Sequence, residues 1–123
     1  LRPLGLRLRA AATLARRCLQ GMIRDYWRVK AGNLASEIDL IKDKISVDEY
    51  RVLNGIRRLG NIGAHMEKDV NLIVDIDPGE AQKLVKVLEL LLKDWYIARH
   101  DRNELYQEIF EIDQDKQEQR RSS

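Results

Sequence analysis

Apolar residues in this chain recur at steps of three and four over most of its length, a period that packed α-helices bury on one face and strands do not. In the first segment Leu8, Ala11, Ala12, Ala15, Cys18, Leu19, Met22, Ile23 and Tyr26 form one stripe, with arginines mostly opposite. That spacing predicts a long amphipathic helix, with a short frayed lead over residues 1–5 and a stop at Gly32-Asn33. A second helix is expected from Leu34 to about Lys44, its inward face being Leu34, Ile38, Ile41 and Ile45. Ser46-Val47-Asp48-Glu49 has the residues of a capping box and opens a third helix that runs to about Leu59. Asp77-Pro78-Gly79-Glu80 opens the next, with aspartate as cap, proline in the first turn and glutamate at the positive end of the helix dipole. Its buried stripe is Ala81, Leu84, Val85, Leu88, Leu91, Leu92 and Trp95.

Between the third and fourth helices, Leu72, Ile73, Val74 and Ile76 alternate in a way that suits a short extended connection rather than a sheet. After Tyr96 a weakly amphipathic helical stretch through Leu105, Ile109 and Ile112 fades into Gln114–Ser123, a polar tail expected to be disordered or to dock elsewhere. The expected fold class is therefore all-α: a single up-down antiparallel bundle of four to five helices. Residues 1–100 read as the domain and 101–123 as a C-terminal helical extension and polar tail.

A chain of 123 residues with 44% hydrophobic content can close one core without disulfides or metal. The single cysteine, Cys18, excludes an intrachain disulfide and a cysteine-rich zinc module, and its place on the apolar stripe marks it as core. Its isolation suits a reducing compartment, so a cytoplasmic location is expected. The most apolar run, around Leu84 to Leu92, is broken by Lys86 and Glu89, so no membrane span is expected. A first residue of Leu1 rather than Met suggests a piece of a longer protein with further domains. Charge is uneven: eight basic residues against Asp25 over residues 1–30, and seven acids against four bases over residues 101–123. The basic end suits a nucleic-acid surface, and equally suits a solvated helix face.

Phosphate-binding glycine loops, His/Cys metal clusters and nucleophile elbows are all absent, which narrows the enzyme classes sharply. No cofactor or metal is expected. Of the two histidines, His100 lies in Arg99-His100-Asp101-Arg102 at an expected helix end, where a surface imidazole needs no special role. His65 differs. It closes the stretch Arg57-Arg58-Leu59-Gly60-Asn61-Ile62-Gly63-Ala64-His65, and at about 100° per residue Arg58, Asn61 and His65 fall in one narrow sector of a helix. A guanidinium, an amide and an imidazole together suit phosphate binding and proton transfer. Gly60 and Gly63 each cost about 1 kcal/mol relative to alanine inside a helix, which points to close backbone packing or to a break.

Two motifs carry a family resemblance: Ala15-Arg16-Arg17-Cys18-Leu19-Gln20-Gly21-Met22-Ile23-Arg24-Asp25-Tyr26-Trp27, and Arg58-Leu59-Gly60-Asn61-Ile62-Gly63-Ala64-His65. With the acid-capped helix after Asp77 they resemble the bacterial domain-of-unknown-function family 4145, part of the larger HEPN superfamily, from about Ala10 to His100. The resemblance implies a homodimer whose Arg-to-His motifs face each other and, in catalytic members, a metal-independent ribonuclease. His65 would then be the base that takes the ribose 2'-hydroxyl proton, Arg58 the electrostatic stabiliser and Asn61 an orienting partner, with Arg57 as substitute. Gly60 stands where nuclease members often carry the arginine. Arg57, Arg16 and Arg17 are the candidate nucleic-acid contacts.

A structural role for the same residues remains open: Asn61 as cap of a helix starting near Ile62, and Arg58 paired with Glu67 or Asp69. Tyr26, Trp27, Trp95 and Tyr96 sit near expected helix ends and read as packing or dimer-interface aromatics rather than base-stacking platforms. Two functions follow. One is an RNA endonuclease or effector of a restriction, toxin or antiphage system; the other is a non-catalytic dimerisation or nucleic-acid-binding adaptor.

Overall fold

The computed structural model describes the backbone of residues 2–65 and 76–122, and side chains over 7–62 and 76–122. The described chain is helical, without a strand: α1 (Arg2–Trp27), α2 (Leu34–Leu40), a 3-10 turn (Lys42–Lys44), α3 (Val47–His65), α4 (Pro78–Leu92), a π-helical turn (Lys93–Ile97) and α5 (Ala98–Ser122). The all-α expectation holds. Leu72, Ile73 and Val74 of the expected extended connection lie outside the described residues. Two compact units divide the chain, residues 1–88 and 89–123.

In the first unit α1 packs chiefly against α3, and the short α2 touches both. The core is built from Ala12, Ala15, Leu19, Met22 and Ile23 of α1, Leu34 and Ile38 of α2, Ile41, and Leu53 and Ile56 of α3, with Ile76, Ala81 and Leu84. Burying each large aliphatic side chain contributes about 1.5–3 kcal/mol, so these positions drive the assembly. Cys18 departs from expectation: it is exposed, its thiol 3.9 Å from the Met22 sulfur. It sits about 100° around α1 from Leu19, at the edge of a stripe whose centre the alanines, Leu19 and Ile23 occupy.

α1 and α3 come into close contact at Gly60. A Cβ there would lie 2.5 Å from the Arg16 Cβ, 2.9 Å from its Cδ and 3.0 Å from the Ala12 carbonyl oxygen. The missing side chain is what lets the two backbones meet and lets the Arg16 stem lie across α3. Of the two readings open to Gly60, close packing is the one realised.

A buried ionic cluster that the spacing of apolar residues did not reveal joins α2 to α1. Glu37 is fully buried on the inward face of α2, beside Leu34 and Ile38. Arg24 forks onto it, Nε donating to Oε1 at 2.8 Å and Nη2 to Oε2 at 2.9 Å. The Gln20 amide donates to the same carboxylate at 3.4 Å, as does the Ala31 backbone N–H at 3.3 Å. The Arg24 hydrogen bonds outweigh burial and hold the Glu37 carboxyl below its usual range, with smaller help from Ala31 and Gln20. Without these partners a carboxylate at this depth would be strongly destabilising.

The cluster also accounts for where α1 ends. The helix stops at Trp27, short of Gly32-Asn33, with Arg28 in the left-handed region at φ 57°. The chain thereby turns so that the Ala31 amide faces Glu37. Gly32, at φ 92°, completes the turn, and Asn33 caps α2 rather than ending α1, its Oδ1 accepting the Ser36 amide at 2.9 Å. The first helix begins at Arg2, so no frayed lead precedes it over residues 2–5; Pro3 is tolerated because a first-turn N–H has no helical acceptor. Both expected caps form. Glu49 N donates to Ser46 Oγ at 3.0 Å with Ser46 N returning to Glu49 Oε1 at 3.4 Å, and Asp77 and Glu80 exchange the same pair at 2.8 and 3.0 Å.

In the second unit Leu91 and Trp95 are buried, while Val85 of the first unit and Leu92 are more exposed than their stripe suggested. The π turn at Lys93–Ile97 closes with the Ala98 amide donating to the Lys93 carbonyl. The expected disordered tail is instead the end of α5, which is helical to Ser122. Residues 114–121 contain neither glycine nor proline, Gln117 donates to Asp113 at 3.3 Å, and Arg120 and Arg121 complement the C-terminal dipole. Polarity alone was a poor guide to disorder here.

Two measurements check this account. Gly60→Ala should destabilise the chain by about 1–3 kcal/mol in urea unfolding through steric conflict with Arg16, although alanine favours a helix. Gly55→Ala and Gly21→Ala, whose added methyls meet nothing within 4 Å, should stabilise by about 0.5–1 kcal/mol. Glu37→Gln should cost about 1–3 kcal/mol at neutral pH. Because the folded carboxyl titrates below the unfolded one, Glu37's contribution is present above the ordinary carboxylate range and is lost as pH falls through its folded value. The gap between Glu37→Gln and the parent should therefore close on acidification.

Candidate functional site

Helix α3 is set at its start by the Ser46/Glu49 capping box and runs on without interruption to His65. It therefore neither stops near Leu59 nor restarts near Ile62, and Asn61 is an interior residue rather than a cap. Gly60 does not break the helix because its loss of propensity is offset by the contact with α1. Positions 58, 61 and 65 consequently keep a single helical register. The side chain of His65 lies outside the described residues, as do Glu67 and Asp69, the partners considered for Arg58.

The arginines of the two motifs have different surroundings. Arg58 is exposed and lines a shallow depression with Asp48, Arg51 and Val52, all from the outer face of α3. Arg57 is half-buried, and its Nε donates to Asn54 Oδ1 at 3.1 Å; Asn54 in turn donates to the Tyr50 carbonyl at 3.2 Å. It serves the surface of α3 itself, which weakens it as a stand-in for Arg58. Arg24 is engaged with Glu37. Arg17 is exposed. Arg16 is half-buried against Gly60, with its Nε shielded from solvent and unpartnered among the described residues.

The fold thus brings one candidate nucleic-acid contact, Arg16, into the Arg58–His65 stretch at Gly60. Asn61, half-buried, is joined to Arg58 by helical register alone, with no hydrogen bond between them among the described residues. Tyr50, one face over on α3, donates to Asp39 Oδ1 at 2.6 Å and has Lys42 5.0 Å from its ring centroid. The carboxylate that accepts its proton raises the phenol's pKa. The hydrogen bond ties α2 to α3, and Lys42 adds the 3-10 turn that follows α2.

Elsewhere, Val52, Ile56, Leu59, Ile76, Leu84 and Val87 line most of an apolar groove of about 360 Å³ between α3 and α4. Its polar lining is Glu80 and Lys83. His100, on α5, is exposed and 3.4 Å from Glu104; with Asp101 these two have ligand atoms close enough to share a cation, as exposed acidic groups commonly do without one. The edge-to-face pair of Tyr26 and Trp27, with centroids 4.9 Å apart, packs at the end of α1, in keeping with a packing role. Among the described residues no helix is long and apolar enough to cross a membrane.

Neither the curated proteins nor the solved structures contain a match to the chain. A family model does match, the one described as a domain of unknown function, DUF4145, over residues 6–119. The match extends beyond His100 and takes in most of α5, a region that the two motifs alone left outside the likeness. On the breadth of that match, the chain is a member of the DUF4145 family.

Proposed function

We propose that this is a HEPN-type domain acting on RNA as a metal-independent endonuclease, with the face of α3 that carries Arg58, Asn61 and His65 as its working surface. What supports the reading is the continuity of α3, which keeps those positions in register where a helix break at Gly60 would have separated them. In the proposed reaction the His65 imidazole takes the proton of a ribose 2'-hydroxyl. The 2'-oxygen attacks the adjacent phosphorus, the bond from phosphorus to the 5'-oxygen breaks, and that oxygen leaves with a proton returned to it. The products are a 2',3'-cyclic phosphate and a 5'-hydroxyl. A guanidinium such as Arg58 meets the charge that builds on the non-bridging oxygens, and Asn61 orients the phosphate.

A homodimer would bring two such faces together, and the domain would serve as an effector in a restriction, toxin or antiphage system, in the reducing interior of a bacterial cell. Large apolar side chains exposed along α5, among them Leu105, Ile109, Phe110 and Ile112, support contact with another protein surface, whether a second copy or the rest of a longer protein. A second reading, a non-catalytic nucleic-acid-binding or dimerisation adaptor, is favoured by the solvent-facing Arg17, Arg51 and Arg58, which suit backbone phosphates without any chemistry.

Cleavage of a labelled single-stranded RNA separates the two. His65→Ala should lower the rate by about 10²–10⁴-fold while binding persists, and EDTA should leave the parent rate unchanged. RNA that is bound yet stays intact with the parent protein would leave the adaptor reading; loss of cleavage in EDTA would refute the metal-free scheme.

A further inference from the structure

Three of the four arginines in the two family motifs, and the neighbouring Arg57, are accounted for by where they sit. Arg24 is spent on Glu37, Arg57 on Asn54, and Arg17 and Arg58 stand in solvent. A phosphate contact through an exposed, freely rotating guanidinium loses side-chain entropy on binding and competes with water. Beside Arg58 the depression also contains Asp48, whose carboxylate opposes an anion.

Arg16 is held differently. Its Cβ and Cδ rest where the Gly60 side chain would be, so the stem is laid across the α3 backbone by the helix crossing. The Nε is buried, yet no acceptor meets it among the described residues. Among the described residues no carboxylate is paired with Arg16 either; the Glu37 carboxylate is taken by Arg24. A shielded donor left unmet is costly, on the order of 1–3 kcal/mol, and native structures seldom leave one without a reason.

The absent acceptor has a defined character. An anion would answer both the unmet donor and the guanidinium charge, and it would come to the α1–α3 crossing beside the motif that ends at His65. We infer that Arg16 is the phosphate-gripping residue of this domain, a guanidinium pre-positioned by Gly60 to hold an RNA phosphodiester at the crossing of α1 and α3. The inference rests on the RNA reading above and assigns its principal anion contact to α1 instead of Arg58. It also gives Gly60 a use: a side chain at that position would displace the guanidinium that the helix crossing holds.

Binding of a fluorescein-labelled, mixed-sequence single-stranded RNA to the full chain, followed by fluorescence anisotropy, tests it. Arg16→Gln should weaken binding about tenfold or more and reduce the salt dependence by about one phosphate contact. Arg58→Gln should have a smaller effect. Arg16→Lys keeps the stem over Gly60 and the charge but lacks the planar fork, so it too should bind several-fold less tightly. For stability alone, Arg16→Met, which keeps an unbranched stem over Gly60 and carries no donor, should match or exceed the parent in thermal unfolding, whereas an arginine with a purely structural role would destabilise when replaced. If the parent binds RNA and Arg16→Gln and Arg16→Lys bind it equally well, the inference is overturned and the RNA reading survives. If the parent does not bind RNA at all, the RNA reading fails and the inference with it.

Discussion

The approach of two helix backbones at Gly60 is the constraint on which the first unit depends. α1 and α3 make the most extensive helix–helix contact of that unit, and a methyl group at residue 60 is all that would be needed to force them apart. Three consequences follow from this one contact. The helix that would otherwise weaken at two glycines continues to His65, the motif positions keep a common register, and an arginine from α1 is laid into a stretch whose own arginines face elsewhere. Packing, rather than propensity, decides the path of the chain here.

A second device fixes the position of α1 lengthwise. Leu19, Ile23, Ile38, Ile41 and Leu53 form a fully buried apolar patch that by its nature is tolerant of sliding. The Arg24–Glu37 fork, with Gln20 and the Ala31 amide on the same carboxylate, is directional and is satisfied in one arrangement only. Buried ion pairs contribute little net stability over well-packed apolar residues; what they add is a penalty for misplacement. Because Glu37 also receives the Ala31 amide, the same carboxylate sets where α1 ends and how α2 begins.

Helix positions and the two capped starts were legible in the sequence because they rest on local chemistry. The three-and-four spacing located the helices, and both capping boxes formed at the residues that spell them. What escaped was set by tertiary contact. Gly60 could signal either a break or close packing until the position of Arg16 was known. Glu37 looked like an ordinary polar residue on a short helix, since nothing local says that Arg24, thirteen positions earlier, will meet it. Cys18 counted as core by its place on the apolar stripe, yet it lies at the edge of that stripe and is exposed. The polar end of the chain read as disorder, but residues 114–121 are good helix formers and carry α5 to its end. At the candidate site the register of positions 58, 61 and 65 was legible, whereas the burial of Arg16 and the exposure of Arg58 were not.

Central to the proposal is the Arg16 guanidinium, held in the helix crossing with its Nε–H shielded and unmet among the described residues. Arginine side-chain Nε–H resonances, followed by NMR while single-stranded RNA is added, report on this most directly. Arg16 and Arg24 should both give resolved, slowly exchanging signals, the first because it is shielded and the second because Glu37 accepts it. RNA should move the Arg16 signal and leave that of Arg24 in place. An Arg16 signal exchanging with water as fast as those of Arg17 and Arg58, and indifferent to RNA, would contradict the account.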